Sequence, residues 1–214
     1  MLGFVAVGAM AISFLAGPAI ADRPAPAVVP PSGQVKVEVV AVNGSGCRIG
    51  TAAVAPAPDN TAFTVTYSDY MSQVGVGARP TDFRKNCQIG VQVHIPQGFT
   101  FAIAQADYRG FAHLEQGASG TQRANYYFQG MSATAISSHT FYGAYNRGWQ
   151  ATDQTAFAAL VWRPCGQDRI VNINTEIIVD AGSSNPRTTT SFMTMDSVDG
   201  SVQTVYHFAW RSCP

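Results

Sequence analysis

A chain of 214 residues, 46% of them hydrophobic and only 12% charged, carries ample apolar material for a folded core, which excludes intrinsic disorder. Its 13 basic and 13 acidic residues cancel to zero net charge, and no cation cluster exceeds the adjacent pair Arg84-Lys85. Neither a nucleic acid nor an anionic membrane surface is therefore an expected partner.

Residues 2–16 are apolar or small without a break, and Ala19-Ile20-Ala21 places small residues where a signal peptidase reads, just before Asp22. Residues 1–21 read as a secretory signal, although no Lys or Arg precedes the apolar run. That run is short of the ~20 residues a spanning helix needs, and no later segment is apolar enough, so no membrane span is expected after cleavage. Residues 22–33 (DRPAPAVVPPSG) carry four prolines and no periodicity, the composition of an extended spacer. A single domain is expected over 34–214.

The first strand runs from Gln34 to Val42, with Val35, Val37, Val39 and Ala41 inward and Lys36 and Glu38 in water. Asn43-Gly44-Ser45-Gly46 breaks it as a turn, and its first three residues also form an N-glycosylation sequon. From Thr61 to Tyr67 the alternation puts Phe63, Val65 and Tyr67 inside. Asn86 to Leu114 reads as a long hairpin. Its first arm turns Cys87, Ile89, Val91, Val93 and Ile95 inward and Gln88, Gly90, Gln92 and His94 outward, and its second turns Phe99, Phe101 and Ile103 inward. Ile95-Pro96-Gln97-Gly98 suits the turn between them. Further strands are expected at Ala124–Gln129, Phe157–Trp162, Thr188–Thr194 and Val202–Trp210. Another, at Ile170–Val179, turns Val171, Ile173, Ile177 and Val179 inward, opposite Asn172, Asn174 and Glu176. The stretch from Gly130 to Thr155 shows no regular period. About nine or ten short strands and no convincing helix point to an all-β fold, an antiparallel β-sandwich, with a jelly roll or barrel as the alternative.

Cys47, Cys87, Cys165 and Cys213 stand singly, with no C-x-x-C pair, which fits two disulfides in an exported protein better than a metal site. Four cysteines allow three pairings; Cys47 with Cys87 and Cys165 with Cys213 is preferred, because each joins one strand end to another within its own half of the chain.

Six motifs in order then resemble a known family: Gly44-Ser45-Gly46-Cys47, Pro58 to Val65 (PDNTAFTV), Asn86-Cys87-Gln88, Pro96-Gln97-Gly98, Tyr108-Arg109-Gly110 and Trp162-Arg163-Pro164-Cys165-Gly166. The chain is similar over Val35 to Cys213 to the exported bacterial and fungal proteins of domain-of-unknown-function family 4360. The resemblance implies export, a β-rich fold and two disulfides, and it implies no activity. Where the family has Gly-Cys-Pro, this chain has Gly46-Cys47-Arg48.

No motif demands a particular chemistry. A G-x-S-x-G elbow is absent, and His94, His113, His139 and His207 lie far apart without metal-ligand spacing. Asp107 and Glu115 are the least implausible carboxylate pair for glycoside cleavage, but Asp107 stands near Arg109, which suggests a structural ion pair. No cofactor is expected. The richest recognition signal is aromatic: Tyr126, Tyr127, Phe128, Phe141, Tyr142, Tyr145 and Trp149 fall within 24 residues. Alternation assigns Tyr126 and Phe128 to the core and leaves Tyr142, Tyr145 and Trp149 as the expected exposed, ligand-binding rings. The expected function is a secreted, non-enzymatic binding or structural module, with polysaccharide or an extracellular protein as partner. A secreted polysaccharide hydrolase or lyase, or an inhibitor or toxin-like effector, are the alternatives.

Overall fold

The computed structural model describes residues 29–132, 134, 136–195 and 203–214, so the expected signal and the first part of the spacer lie outside the described residues. Twelve strands are present among the described residues. In chain order they are β1 (Lys36–Asn43), β2 (Ala52–Pro56), β3 (Ala62–Tyr67), β4 (Met71–Gly75), β5 (Arg84–His94), β6 (Phe99–Leu114), β7 (Ser119–Phe128), β8 (Ser137–Tyr142), β9 (Tyr145–Gln154), β10 (Val171–Asp180), β11 (Thr190–Thr194) and β12 (Thr204–Ser212). They form two antiparallel sheets that face each other, a sandwich and not a closed barrel. One sheet has the order β1-β5-β10-β7-β8; the other runs β2-β3-β12-β6-β11-β4. The long β6 takes β12 and then β11 along one side and β9 along the other.

The strand over Thr61–Tyr67 has the expected inward set, with Phe63, Val65 and Tyr67 buried, and β10 buries Val171, Ile173, Ile177 and Val179 as alternation requires. The long hairpin, however, is an arch. β5 is bonded on one side to β1 and on the other to β10, so no free ladder is left for β6, which crosses at residues 95–98 into the opposite sheet. Both arms still turn the expected residues inward, with Ile95 and Phe99 at the crossing only half-buried, because they face each other across the core rather than lying side by side. A second arch at Gly143-Ala144 carries β8 of one sheet into β9 of the other.

Two bulges reset the alternation. In β1 the register with β5 slips between Val39 and Ala41, so Ala41 is exposed and Val42 packs on the core, the reverse of the expected phase beyond Val39. In β6 the register with β12 steps from Gln105 to Ile103, so Phe101 and Ile103 are followed inward by Ala106, Tyr108, Ala112 and Leu114. The strand expected at Phe157–Trp162 is absent: a 3-10 turn at Phe157–Ala159 leads into a segment that runs along β6. There the Arg163 N–H donates to Phe101 O at 3.0 Å and the Thr100 hydroxyl donates to Arg163 O. Val161 packs against the core from this segment, which covers β6 without being a sheet member.

Disulfides join Cys47 to Cys87 and Cys165 to Cys213. The first seats the Gly44-Ser45-Gly46 turn on β5. The Gly46 N–H donates to Asn86 O at 2.8 Å and the Ser45 hydroxyl to Asn86 Oδ1 at 2.9 Å, while Gly44, at φ 140°, lies against the same carbonyl where a side chain would collide. Two of the six motifs are thus halves of one contact.

Candidate recognition face

Turned away from the core, the five-stranded sheet presents side chains in rows directly across the strands. Register sets Asn43 of β1 opposite Gln88 of β5, Gln88 opposite Asn174 of β10, and Asn174 opposite Asn125 of β7. All four are at least partly open to solvent, and among the described residues none of their side-chain amides has a hydrogen-bond partner in the protein. Alternation puts them on one face, since Cys87, Ile89, Ile173, Thr175 and Ala124 beside them are buried. Each amide offers two N–H donors and a carbonyl acceptor, so the row is a line of unclaimed hydrogen-bonding groups.

On one side of this row lie Gly90, Asn172 and Tyr127; on the other, Asn86, Glu176 and Arg123. Glu176 is held by Arg84 and, at 3.6 Å, by Arg123. A groove of about 370 Å3 runs here, lined by Gln88, Asn125, Asn174, Glu176 and Ile136, the last of which is 69% exposed.

The aromatic residues offered by the sequence do not form a common platform. Trp149 is only 3% exposed: β9 turns it between the sheets, its indole N–H donates to Thr194 O at 3.1 Å, and its ring packs on Phe141. Its assignment as a ligand-binding ring is corrected, because it stands at the inward phase of a strand that the sequence pattern did not reveal. Tyr145 is half-buried in the opposite sheet from Tyr142, with the Arg147 guanidinium 4.8 Å above its ring and its hydroxyl donating to Gly148 O. Tyr142 is exposed on the outer face of the five-stranded sheet, opposite Ser119 of β7. Six residues of β7 separate Ser119 from Asn125, about 20 Å along a strand, so Tyr142 lies well away from the amide row. Tyr126 is half-buried and its hydroxyl donates to Ile103 O, while Phe128 is core.

A second cavity of about 610 Å3 opens between β7 and β8 on one side and β9 on the other. Within it the Ser137 hydroxyl donates to Asp153 Oδ1, and His139 Nε2 lies 2.6 Å from the same oxygen and 3.4 Å from Ser137 Oγ. A nucleophile relay needs the acid on one ring nitrogen and the hydroxyl on the other; here a single nitrogen meets both. Among the described residues Asp153 is the one carboxylate lining this cavity, whereas glycoside cleavage uses two, some 5 to 10 Å apart.

Asp107 and Glu115 do not supply that pair either. They lie eight residues apart along and just beyond β6, on the order of 25 Å. Asp107 accepts from Thr152 Oγ1 at 2.6 Å and Gln105 Nε2 at 2.9 Å and pairs with His207 at 2.9 Å, in place of the expected Arg109. Burial pushes this carboxyl up, but the hydrogen bonds from Thr152, Gln105 and His207 outweigh burial and hold it below the ordinary carboxylate value. Glu115 pairs with His113 at 3.3 Å.

Sequence reasoning recognised Gln88, Asn174 and Glu176 as outward residues but not as neighbours. The available signal was the repeated choice of amides at outward positions of β5 and β10.

A family model described as "Domain of unknown function (DUF4360)" matches residues 33–213. An uncharacterized secreted protein of Arthroderma benhamiae is 36% identical over 180 residues, covering 83% of this chain and 72% of that protein. Among solved structures, TmCBM61 in complex with beta-1,4-galactotriose covers 84% of this chain and 88% of its own at 10% identity and a TM-score of 0.28, a likeness too slight to carry weight. With two disulfides and a secreted relative, the protein is an exported one. The match across nearly the whole sandwich and the six motifs in order make this chain a member of the DUF4360 family.

Proposed function

We propose that this secreted protein is a non-enzymatic binding module for a neutral polysaccharide, held on the outer face of its five-stranded sheet. The observation that supports it is the row Asn43, Gln88, Asn174 and Asn125, four solvent-facing amides in register with no partner among the described residues. Sugar hydroxyls both donate and accept, and an amide answers either need without placing a net charge on the surface. Tyr127, in the adjacent row, supplies a ring against which a sugar face can stack, and Glu176 partly offsets the charges of Arg84 and Arg123.

The test is retention on a panel of insoluble polysaccharides. Wild type is expected to bind at least one of them, and Asn174→Ala or Gln88→Ala to weaken that binding roughly five- to tenfold, the worth of one or two net hydrogen bonds. Tyr142→Ala, on the same sheet face but outside the row, is expected to bind as wild type. Failure of wild type to be retained on any polymer would reject the assignment, as would loss of binding in Tyr142→Ala with Asn174→Ala unaffected.

A further inference from the structure

Granted the glycan-binding reading above, the register of the amide row goes further, to the shape and length of the glycan. We infer that the ligand is an extended, flat-running chain of about four sugar rings that crosses the strands at right angles, one ring to each amide. The four amides sit on four consecutive hydrogen-bonded strands, β1, β5, β10 and β7, each directly opposite the next. Neighbouring strands in a sheet are about 4.8 Å apart, so the row spans about 14 Å from Asn43 to Asn125. A glycan whose rings are joined through equatorial bonds advances by nearly one such spacing per ring and presents a hydroxyl edge at each step. A glycan joined through an axial bond coils, and its hydroxyls leave the line after one or two rings.

The flanks of the row agree with this direction. Along one side the Val40, Ala41 and Ile170 side chains close over Gly90, and Tyr127 stands across from Asn172, next to Asn125 along β7, at the β7 end of the path. On the other side Arg84 and Arg123 both pair with Glu176, which leaves one net positive charge at the border of the path. Asn43 reaches the outer face only because the β1 bulge shifts the alternation beyond Val39, which extends the row from three strands to four.

The experiment is a titration of the protein with β-1,4-linked cello-, xylo-, manno- and chito-oligosaccharides of two to six rings, with α-1,4-linked malto-oligosaccharides alongside. For at least one extended series the affinity is expected to rise roughly fivefold per ring up to four and then level off, with the malto series at least tenfold weaker at every length. The ends of the row should behave differently from its middle. Asn43→Ala is expected to remove the gain from the third to the fourth ring while leaving the three-ring affinity within about twofold; Gln88→Ala and Asn174→Ala are expected to weaken both. Retained thermal midpoints show that the variants are folded. Affinity independent of length, a malto series bound as tightly, or an Asn43→Ala loss equal at three and four rings overturns the inference while leaving polysaccharide binding itself in place. Absence of binding to any oligosaccharide or polymer removes both.

Discussion

At position 110 the chain has no room for a methyl group. A Cβ there would fall on the Thr194 carbonyl oxygen and 2.7 Å from the Trp149 ring, which lies opposite Gly110 in the β6–β9 ladder. The Tyr108-Arg109-Gly110 motif is therefore a packing requirement: a buried tyrosine, an outward arginine and a gap for an indole. Gly110→Ala is expected to lower stability by about 1–3 kcal/mol through overpacking, read as a fall in thermal midpoint with glycan retention preserved at low temperature. An unchanged midpoint would show that Trp149 has another place to go. Aromatic composition alone could not separate Trp149, locked between sheets, from Tyr142, exposed on an outer face. The distinction lies in strand phase, and β8 and β9 conceal their phase. Their inward positions include Ser137, His139 and Asp153, which line a cavity, so polar residues occur on both faces and the alternation that marks a half-buried strand disappears.

Between whole elements the same principle divides what could be read from what could not. β3 and β10 were legible because one face of each meets the core and the other meets water. The apolar run after Thr155 misled because Leu160 and Val161 find burial beside β6 without joining a ladder. The partner of β6 could not be read either, since a hairpin and an arch turn the same side chains inward. For the recognition face, the outward amides were legible, but their alignment joins positions 43, 88, 125 and 174, and no local pattern carries that register. The cover over β6 is anchored by the Cys165–Cys213 disulfide, which closes a sequence separation of 48 residues and ties the segment to the end of β12. A chain-entropy treatment gives about 4 kcal/mol for such a loop. Replacing both cysteines by serine is expected to lower the thermal midpoint by roughly 8–16 °C for a domain of this size and to open the segment around Trp162-Arg163 to protease. A double variant that melts with wild type and resists cleavage there would show that packing alone holds the cover.

Across the whole molecule, the sandwich closes around four tyrosines, Tyr67, Tyr70, Tyr108 and Tyr206, each at most 7% exposed. Burial raises the Tyr67 hydroxyl to about 12 and pushes Tyr70, Tyr108 and Tyr206 well above the ordinary tyrosine value. Because the folded values lie above the unfolded one, these groups leave stability intact below pH ~10, and stability is lost as the pH rises from there through the folded values; Tyr67 alone accounts for on the order of 3 kcal/mol of that loss. An alkaline absorbance titration should therefore show these four of the eight tyrosines ionising only together with unfolding. Ionisation of all eight near pH 10 with native circular dichroism would contradict the buried assignment.

The strand order has a temporal meaning as well. β5 and β7 are joined only when β10, at residues 171–180, lies between them, and β3 reaches β6 only through β12, at residues 204–212. A chain delivered amino end first can until then make little more than isolated strand pairs, which are marginal in water. Both sheets therefore wait for the last fifth of the sequence, so neither half of the sandwich can close until nearly the whole chain is present.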